Sequence, residues 1–178
     1  MFGLDARIAL AIFGLLSVVA GVAAINIFGQ ASTTALATEL TNIKKAYTEF
    51  KMATNEDTLK FTDLLNNDTG FSGWNGPYID GMLTDKSRLY GTYSFFEGRQ
   101  DVPGVPPVEC SGGGICSVWL KLTKVKDSLA KELHKTMNGG DTNMAAGVLR
   151  VELSAGPTDD IYYLVATRSA SSSSGTGE

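Results

Sequence analysis

The sequence predicts an α+β fold in which one long N-terminal helix packs against a small antiparallel β-sheet domain. The chain has 178 residues, which is enough for one compact domain and an appendage but short for two full domains. Residues 8–28 are apolar except for Ser17 and Asn26, which predicts a continuous helix. Short strand-like runs separated by glycine-rich turns follow, and they predict an antiparallel sheet laid on that helix.

The apolar segment is long enough to cross a bilayer. At 1.5 Å per residue, residues 8–28 span about 31 Å, one hydrocarbon thickness. We therefore expect residues 1–28 to form a transmembrane helix and residues 29–54 to be its amphipathic continuation. The second half carries an apolar stripe at spacings of four, three, four and three: Leu36, Leu40, Ile43, Tyr47 and Phe50. The helix should end at residues 55–57.

Residues 55–168 are predicted to form the globular head, and the Ser- and Gly-rich residues 169–178 a flexible tail. The head should begin with a short helix at 58–65 and a glycine- and aromatic-rich loop at 69–80. Strands are predicted at 89–96, 117–125, 147–153 and 161–167, with an irregular segment at 102–116. A helix capped by Asp127 should bury Leu129, Leu133 and Met137 and stop at the glycines after Asn138.

The two cysteines, Cys110 and Cys116, are separated by five residues, three of which are glycines. So short and flexible a loop predicts a disulfide, and a membrane segment makes an oxidising exterior the natural compartment. Two thiols and the distant His134 offer too few ligands for a metal site.

Composition and single residues argue against an enzyme. The net charge is −4, and no long run of Lys or Arg suggests a nucleic-acid surface. The lone imidazole, His134, is predicted to be a solvated helix residue, so no catalytic triad can be built. Oxygen ligands at Asp141 and Asn143, or at 159–160, are too few for a calcium loop. The sequence predicts no cofactor, no metal and no catalytic residue.

Two segments resemble a known family. The run Met1-Phe2-Gly3-Leu4-Asp5 resembles the mature N-terminus of type IV pilins and type II secretion pseudopilins, in which residue five is acidic. The usual acid there is glutamate, and methionine as first residue is similar to the type IVb branch. The Trp74 to Tyr78 segment, Trp-Asn-Gly-Pro-Tyr, resembles the Trp-x-Gly-Pro-Tyr segment that follows the long helix in many pseudopilins. Trp74 and Tyr78 are expected to fill the seam between helix and sheet.

The resemblance implies roles in assembly for Met1 and Asp5, whereas Arg7 departs from the family pattern. A carboxylate in an apolar helix is costly in lipid unless it is neutralised, and Asp5 should meet the α-amine of Met1 on an adjacent subunit. Arg7 either reaches the cytoplasmic headgroups or shares the counter-charge role. Gly14 and Gly21 are the positions of helix flexibility. The proline that many type IV pilins carry near position 22 is absent, so the helix should be continuous or only briefly extended.

The implied function is that of a major pilin, a structural subunit of a type IV pilus that serves adhesion, motility or DNA uptake. Its partners would be copies of itself, the inner membrane, the pilus assembly machinery and the prepilin peptidase. It would occupy the bacterial inner membrane as a monomer and then an extracellular filament. The alternatives are a pseudopilin or minor pilin, and a single-pass anchored binding domain that never polymerises. Asp5 in register disfavours the last of these.

Overall fold

The computed structural model describes the backbone of residues 4–110 and 114–168; within the first helix, the side chains at 4–9, 15–16 and 18–29 lie outside that description. The predicted tail at 169–178 also lies outside the described residues. In chain order the elements are α1 (Leu4–Thr54), a 3₁₀ helix (Phe61–Leu64), β1 (Tyr93–Arg99), β2 (Cys116–Lys126), α2 (Asp127–Met137), β3 (Leu149–Glu152) and β4 (Thr158–Thr167).

The four strands form one antiparallel sheet in the order β1-β2-β4-β3. This confirms the predicted antiparallel sheet and its four strands, although the first strand begins at Tyr93 rather than at residue 89. The register of β2 against β4 shifts between Val118 and Trp119. Neighbouring side chains of a strand point to opposite faces, so the full burial of both Val118 and Trp119 shows that both faces of β2 are covered here. The irregular segment before β2 is also confirmed.

The C-terminal part of α1 packs on the sheet through the predicted stripe. Leu36, Leu40, Ile43, Tyr47 and Phe50 are all at most 2% exposed. Burying a side chain of this size contributes about 1.5–3 kcal/mol each, so this stripe is the main attachment of the helix to the head. The helix ends where predicted, because Asn55 takes a left-handed conformation (φ 57°) and its amide donates to the Lys51 carbonyl at 2.8 Å.

The predicted fold class was wrong about the spine helix. The prediction made one long N-terminal helix the partner of the sheet. The helix of the folded domain is instead the last part of α1, a 25-residue segment at 30–54. Among the side chains of α1 that the structure describes, the first buried one is that of Thr33. Upstream, the sequence is apolar on every side, so it has no single face that could pack on one surface. The sheet is instead covered by three helical segments: residues 30–54, the 3₁₀ helix and α2.

Helix α2 has the predicted bounds but a different inner face. Ala130, Leu133 and His134 are buried, whereas Leu129 and Met137 are only partly buried. The prediction that His134 is solvated was therefore wrong: it is 0% exposed. Residues 130, 133, 134 and 137 follow the i, i+3, i+4, i+7 spacing of one helix face, which carries the imidazole inward.

The aromatic loop between helix and sheet fills the seam as predicted. The Trp74 indole donates to the Asp63 carbonyl at 2.9 Å, and the Tyr78 ring meets Phe50 edge-on at 5.8 Å. Asp63 is itself buried, and its carboxylate accepts from the hydroxyl of Thr69 at 2.7 Å and from that of Thr58. The predicted helix at 58–65 is a short 3₁₀ helix, because the chain turns here around these bonds.

Loops and one lysine meet the outer backbone of the sheet. At β1 the amides of Tyr93 and Arg99 donate to the carbonyls of Asp85 and Val108, respectively. At β3 the Val151 amide donates to the Met144 carbonyl. Beyond the short β3, the open side of β4 faces α1. There the Lys44 ammonium donates to the Leu164 carbonyl at 3.2 Å. These contacts occupy backbone groups that a further strand would need.

Candidate functional site

The predicted assembly residues lie at the start of the chain. Met1 lies outside the described residues; Asp5, Arg7 and Gly21 have helical backbones in α1, but their side chains lie outside the description. A Cβ on Gly14 would meet nothing within 4 Å, so the single chain leaves that position open. The pairing of Asp5 with the Met1 amine therefore stays a prediction.

Apolar side chains in the first turns of α1 are uncovered. Leu10, Ile12 and Phe13 are 72%, 53% and 71% exposed. Large neighbouring apolar side chains left in water mark a surface that interacts with another molecule or with lipid. Over the described residues, no helix is both long and apolar enough to cross a membrane. The predicted membrane segment, 8–28, lies largely outside the described side chains.

A groove of about 1100 Å³ runs along the outer face of the packed part of α1. One wall is the helix, with Glu39 and Glu49, and the other is the segment 78–89. On this second wall Leu83 and Leu89 are 96% and 81% exposed. The groove is therefore a second apolar surface of the head with charged margins.

The predicted disulfide is confirmed. Cys110 and Cys116 are bonded, and the bridge closes a small loop between β1 and β2. The loop is tied to the sheet at its base, where the Gln100 amide donates to the Ile115 carbonyl at 3.1 Å and the Arg168 amide donates to the Cys116 carbonyl at 2.9 Å. Residues 111–113 lie outside the described residues.

A carboxylate lies directly beside the bridge. Glu97, on β1, places Oε1 at 2.9 Å from the Cys116 sulfur, while its Oε2 is 2.5 Å from Nη1 of Arg168. Both groups are partly buried, so the ion pair is less screened than a surface pair. Arg168 thus fixes one carboxylate oxygen and leaves the other directed at sulfur.

The same arginine connects this carboxylate to α1. Nε of Arg168 lies 3.7 Å from Asp57 Oδ2, and Asp57 Oδ1 lies 2.8 Å from Lys51 Nζ. The Tyr47 hydroxyl donates to Asp57 at 3.2 Å. Burial and the neighbouring Asp57 carboxylate raise the pKa of Tyr47, so this phenol stays protonated and a hydrogen-bond donor. The result is a continuous chain of polar contacts from the end of α1 to the disulfide.

Arg150 holds the first part of the connection between β1 and β2, residues 99–104. Its side chain is 1% exposed, and the guanidinium lies 4.4 Å from the centre of the Trp119 ring. It donates to four loop carbonyls, those of Arg99 (3.4 Å), Gln100 (2.9 Å), Val102 (2.9 Å) and Gly104 (3.3 Å). Burial lowers the pKa of Arg150, which the nearby Asp101 partly offsets. Residues 99–104 are thus held independently of the disulfide.

The oxygen-rich turns considered for calcium form local hydrogen bonds. Asp141 accepts from the Asn143 amide at 2.9 Å, and Asp159 accepts from the Ser154 amide at 2.9 Å. Asp160 pairs with Lys121 at 2.9 Å. Across the described ranges these oxygens form no common set of ligands.

Sequence reasoning missed Glu97, Asp57, Arg168 and Arg150. Glu97 lies 40 positions after Asp57 and 71 positions before Arg168, so no spacing rule connects these three residues. Arg150 stands in an apolar strand, where a charge signals an unusual environment, but nothing local shows that its acceptors would be backbone carbonyls about 50 residues earlier. No family model matches the chain, and neither does any curated protein or solved structure.

Proposed function

We propose that this chain is a structural subunit of the type IV pilin class, a major pilin that polymerises through its N-terminal segment and displays the α+β head on the filament surface. The observation that carries the proposal is the exposure of Leu10, Ile12 and Phe13 in α1. The head covers none of these side chains. A molecule that keeps them must cover them with lipid or with other copies of itself.

The acidic residue at position five favours other copies of the chain as the molecules that cover this surface. Asp5 lies at the edge of this apolar segment, and an unpaired carboxylate in an apolar bundle would cost several kcal/mol. The α-amine of Met1 on an adjacent copy supplies the missing positive charge. Polymerisation then removes two unfavourable terms together, the exposed apolar surface and the unpaired charge.

The head supports a role in display rather than catalysis. Two of its buried charged groups, Asp63 and Arg150, bond to the head's own hydroxyls and carbonyls. Adhesion, motility or DNA uptake would then depend on the head surface, including the groove beside Leu83 and Leu89. The inner membrane, the pilus assembly machinery and the prepilin peptidase are the partners that the resemblance implies.

Electron microscopy of sheared surface fibres, with mass spectrometry of their subunit, tests the proposal. Abundant long fibres made of this chain are expected. Asp5→Ala should leave membrane-inserted monomer and few fibres, whereas the control Asp80→Ala, an exposed head residue, should assemble normally. Sparse short fibres would instead favour a pseudopilin or minor pilin. A wild-type chain that stays monomeric, or Asp5→Ala fibres at normal abundance, would overturn the polymerisation mechanism.

A further inference from the structure

We propose that Cys110, Cys116 and Glu97 form a binding site for a zinc-like divalent cation when the disulfide is reduced. The two sulfurs and one Glu97 carboxylate oxygen all lie within 4.8 Å of one another. Thiolate sulfur and carboxylate oxygen are both common zinc ligands. Two thiols alone are too few for such a site, but the fold adds a third ligand from the neighbouring strand.

Glu97 is already oriented as a metal ligand would be. Arg168 holds Oε2 at 2.5 Å, so the carboxylate cannot rotate freely, and Oε1 remains 2.9 Å from the Cys116 sulfur. Arg168 is in turn positioned by Asp57 at 3.7 Å. Outer contacts of this kind fix the geometry of metal-binding carboxylates and strengthen binding.

The frame of the site does not depend on the disulfide. Glu97 and Cys116 lie on adjacent paired strands, with Glu97 opposite Val118 in the register. Arg150 holds residues 99–104 from the other side, through the Gln100 and Val102 carbonyls at 2.9 Å. Reduction therefore frees mainly the exposed Cys110, which lets its sulfur move to a metal–ligand distance.

The chemistry balances with an external dithiol as reductant. The dithiol supplies two electrons and two protons, its own sulfurs join in a new disulfide, and the Cys110–Cys116 bond becomes two thiols. The cation then displaces both thiol protons, so the bound form has two thiolates and one carboxylate. The cation and the neighbouring Arg168 offset these three negative charges, and water completes the tetrahedral shell. In the oxidised chain each sulfur is already bonded to the other, so the site is closed.

The test titrates Co²⁺ and Zn²⁺ into the full chain in detergent, oxidised and after dithiol treatment. Detergent keeps the chains single, so the outcome is independent of polymerisation. The reduced chain should bind one ion, release two protons per ion and show thiolate-to-cobalt charge-transfer absorption, while the oxidised chain should do none of these. Glu97→Gln should weaken binding about 10-fold or more. Glu109→Gln, an exposed carboxylate beside Cys110, is the matched control and should change nothing.

Circular dichroism of the reduced chain is recorded in parallel, since the proposal requires a folded head. Equal affinity of Glu97→Gln and wild type would show that the carboxylate is not a ligand and would overturn the proposal. A reduced chain that unfolds, or that stays folded without binding either ion, would overturn it as well.

Discussion

Replacing Arg150 tests whether the buried guanidinium holds the segment 99–104 in place. Two of its bonds, to the Gln100 and Val102 carbonyls, are 2.9 Å long and charge-assisted, and each contributes about 1.5 kcal/mol. The contact with Trp119 at 4.4 Å adds about 1 kcal/mol. Burying the guanidinium cancels part of this, so Arg150→Ala should lower the free energy of unfolding by about 3 kcal/mol.

A second variant separates the hydrogen bonds from packing. Arg150→Met keeps an apolar side chain against Trp119 but donates nothing to the loop carbonyls, so it should lose about 2 kcal/mol. The control Arg88→Met, an exposed arginine, should stay within about 0.5 kcal/mol of wild type.

Urea denaturation followed by tryptophan fluorescence gives these free energies, and amide hydrogen exchange reports on the loop itself. Exchange at 99–104 should accelerate in Arg150→Met while the sheet keeps its protection. If Arg150→Ala costs less than about 1 kcal/mol and exchange at 99–104 is unchanged, the loop carbonyls lose nothing when water replaces the guanidinium. That result would refute the idea that Arg150 holds residues 99–104 in place.

Three further predictions follow from local geometry. Gly91→Ala would place a Cβ 2.0 Å from Thr123 Oγ1 and 2.8 Å from its carbonyl oxygen, so it should destabilise the head by about 2 kcal/mol in urea denaturation. The control Gly156→Ala meets only one side-chain atom at 3.5 Å and should be nearly neutral; equal midpoints for the two variants would refute the clash. Burial raises the pKa of Tyr162 from 10.0 to about 12, so the folded state retains a proton that the unfolded state releases. Its contribution to stability should be complete below pH 10 and be lost as the pH rises towards 12, and Tyr162→Phe should flatten this loss; an identical alkaline profile would contradict it. In a filament reconstruction, residues 14–23 should remain helical or only briefly extended, because glycine costs a helix about 1 kcal/mol against about 3 for proline; a long melted stretch there would show that ranking to be wrong.

Elements with a local period could be predicted from the sequence. The stripe from Leu36 to Phe50 and the bounds of α2 follow from helical spacing, and the Cys110 to Cys116 bridge follows from a short glycine-rich separation. In each case the residues that contact one another, or that share a face, are close in the chain. Local patterns therefore determine them with little help from the rest of the fold.

Long-range polar contacts could not be predicted in this way. His134 carries a polar ring that sequence rules place in water, yet the neighbours Ala130 and Leu133 take its helix face into the core. Neither ring nitrogen has a hydrogen-bond partner within the described residues, so the imidazole packs there as an apolar ring would. Asp127 likewise is the first residue of α2 rather than its cap, which is Lys126. Tertiary packing decides these positions.

The same holds for the contacts around the disulfide. The pairing of Glu97 with Arg168 joins residues 71 positions apart, and it exists only because β1 and the end of β4 flank the same strand, β2. Strand order is a global property, and no single segment encodes it. The position of the Glu97 carboxylate beside Cys116 therefore could not be predicted from local sequence patterns.

The covered margins of the sheet limit how copies of this chain can join. Lys44 caps the Leu164 carbonyl at the open side of β4, and loop carbonyls occupy the amides of Tyr93, Arg99 and Val151. A second chain that added a strand at these positions would first have to strip away those bonds, leaving a charge or a carbonyl without a partner. Growth of a continuous cross-chain sheet, the route to amyloid-like fibres, is thereby opposed. The heads can be crowded side by side at high local concentration while staying separate folding units.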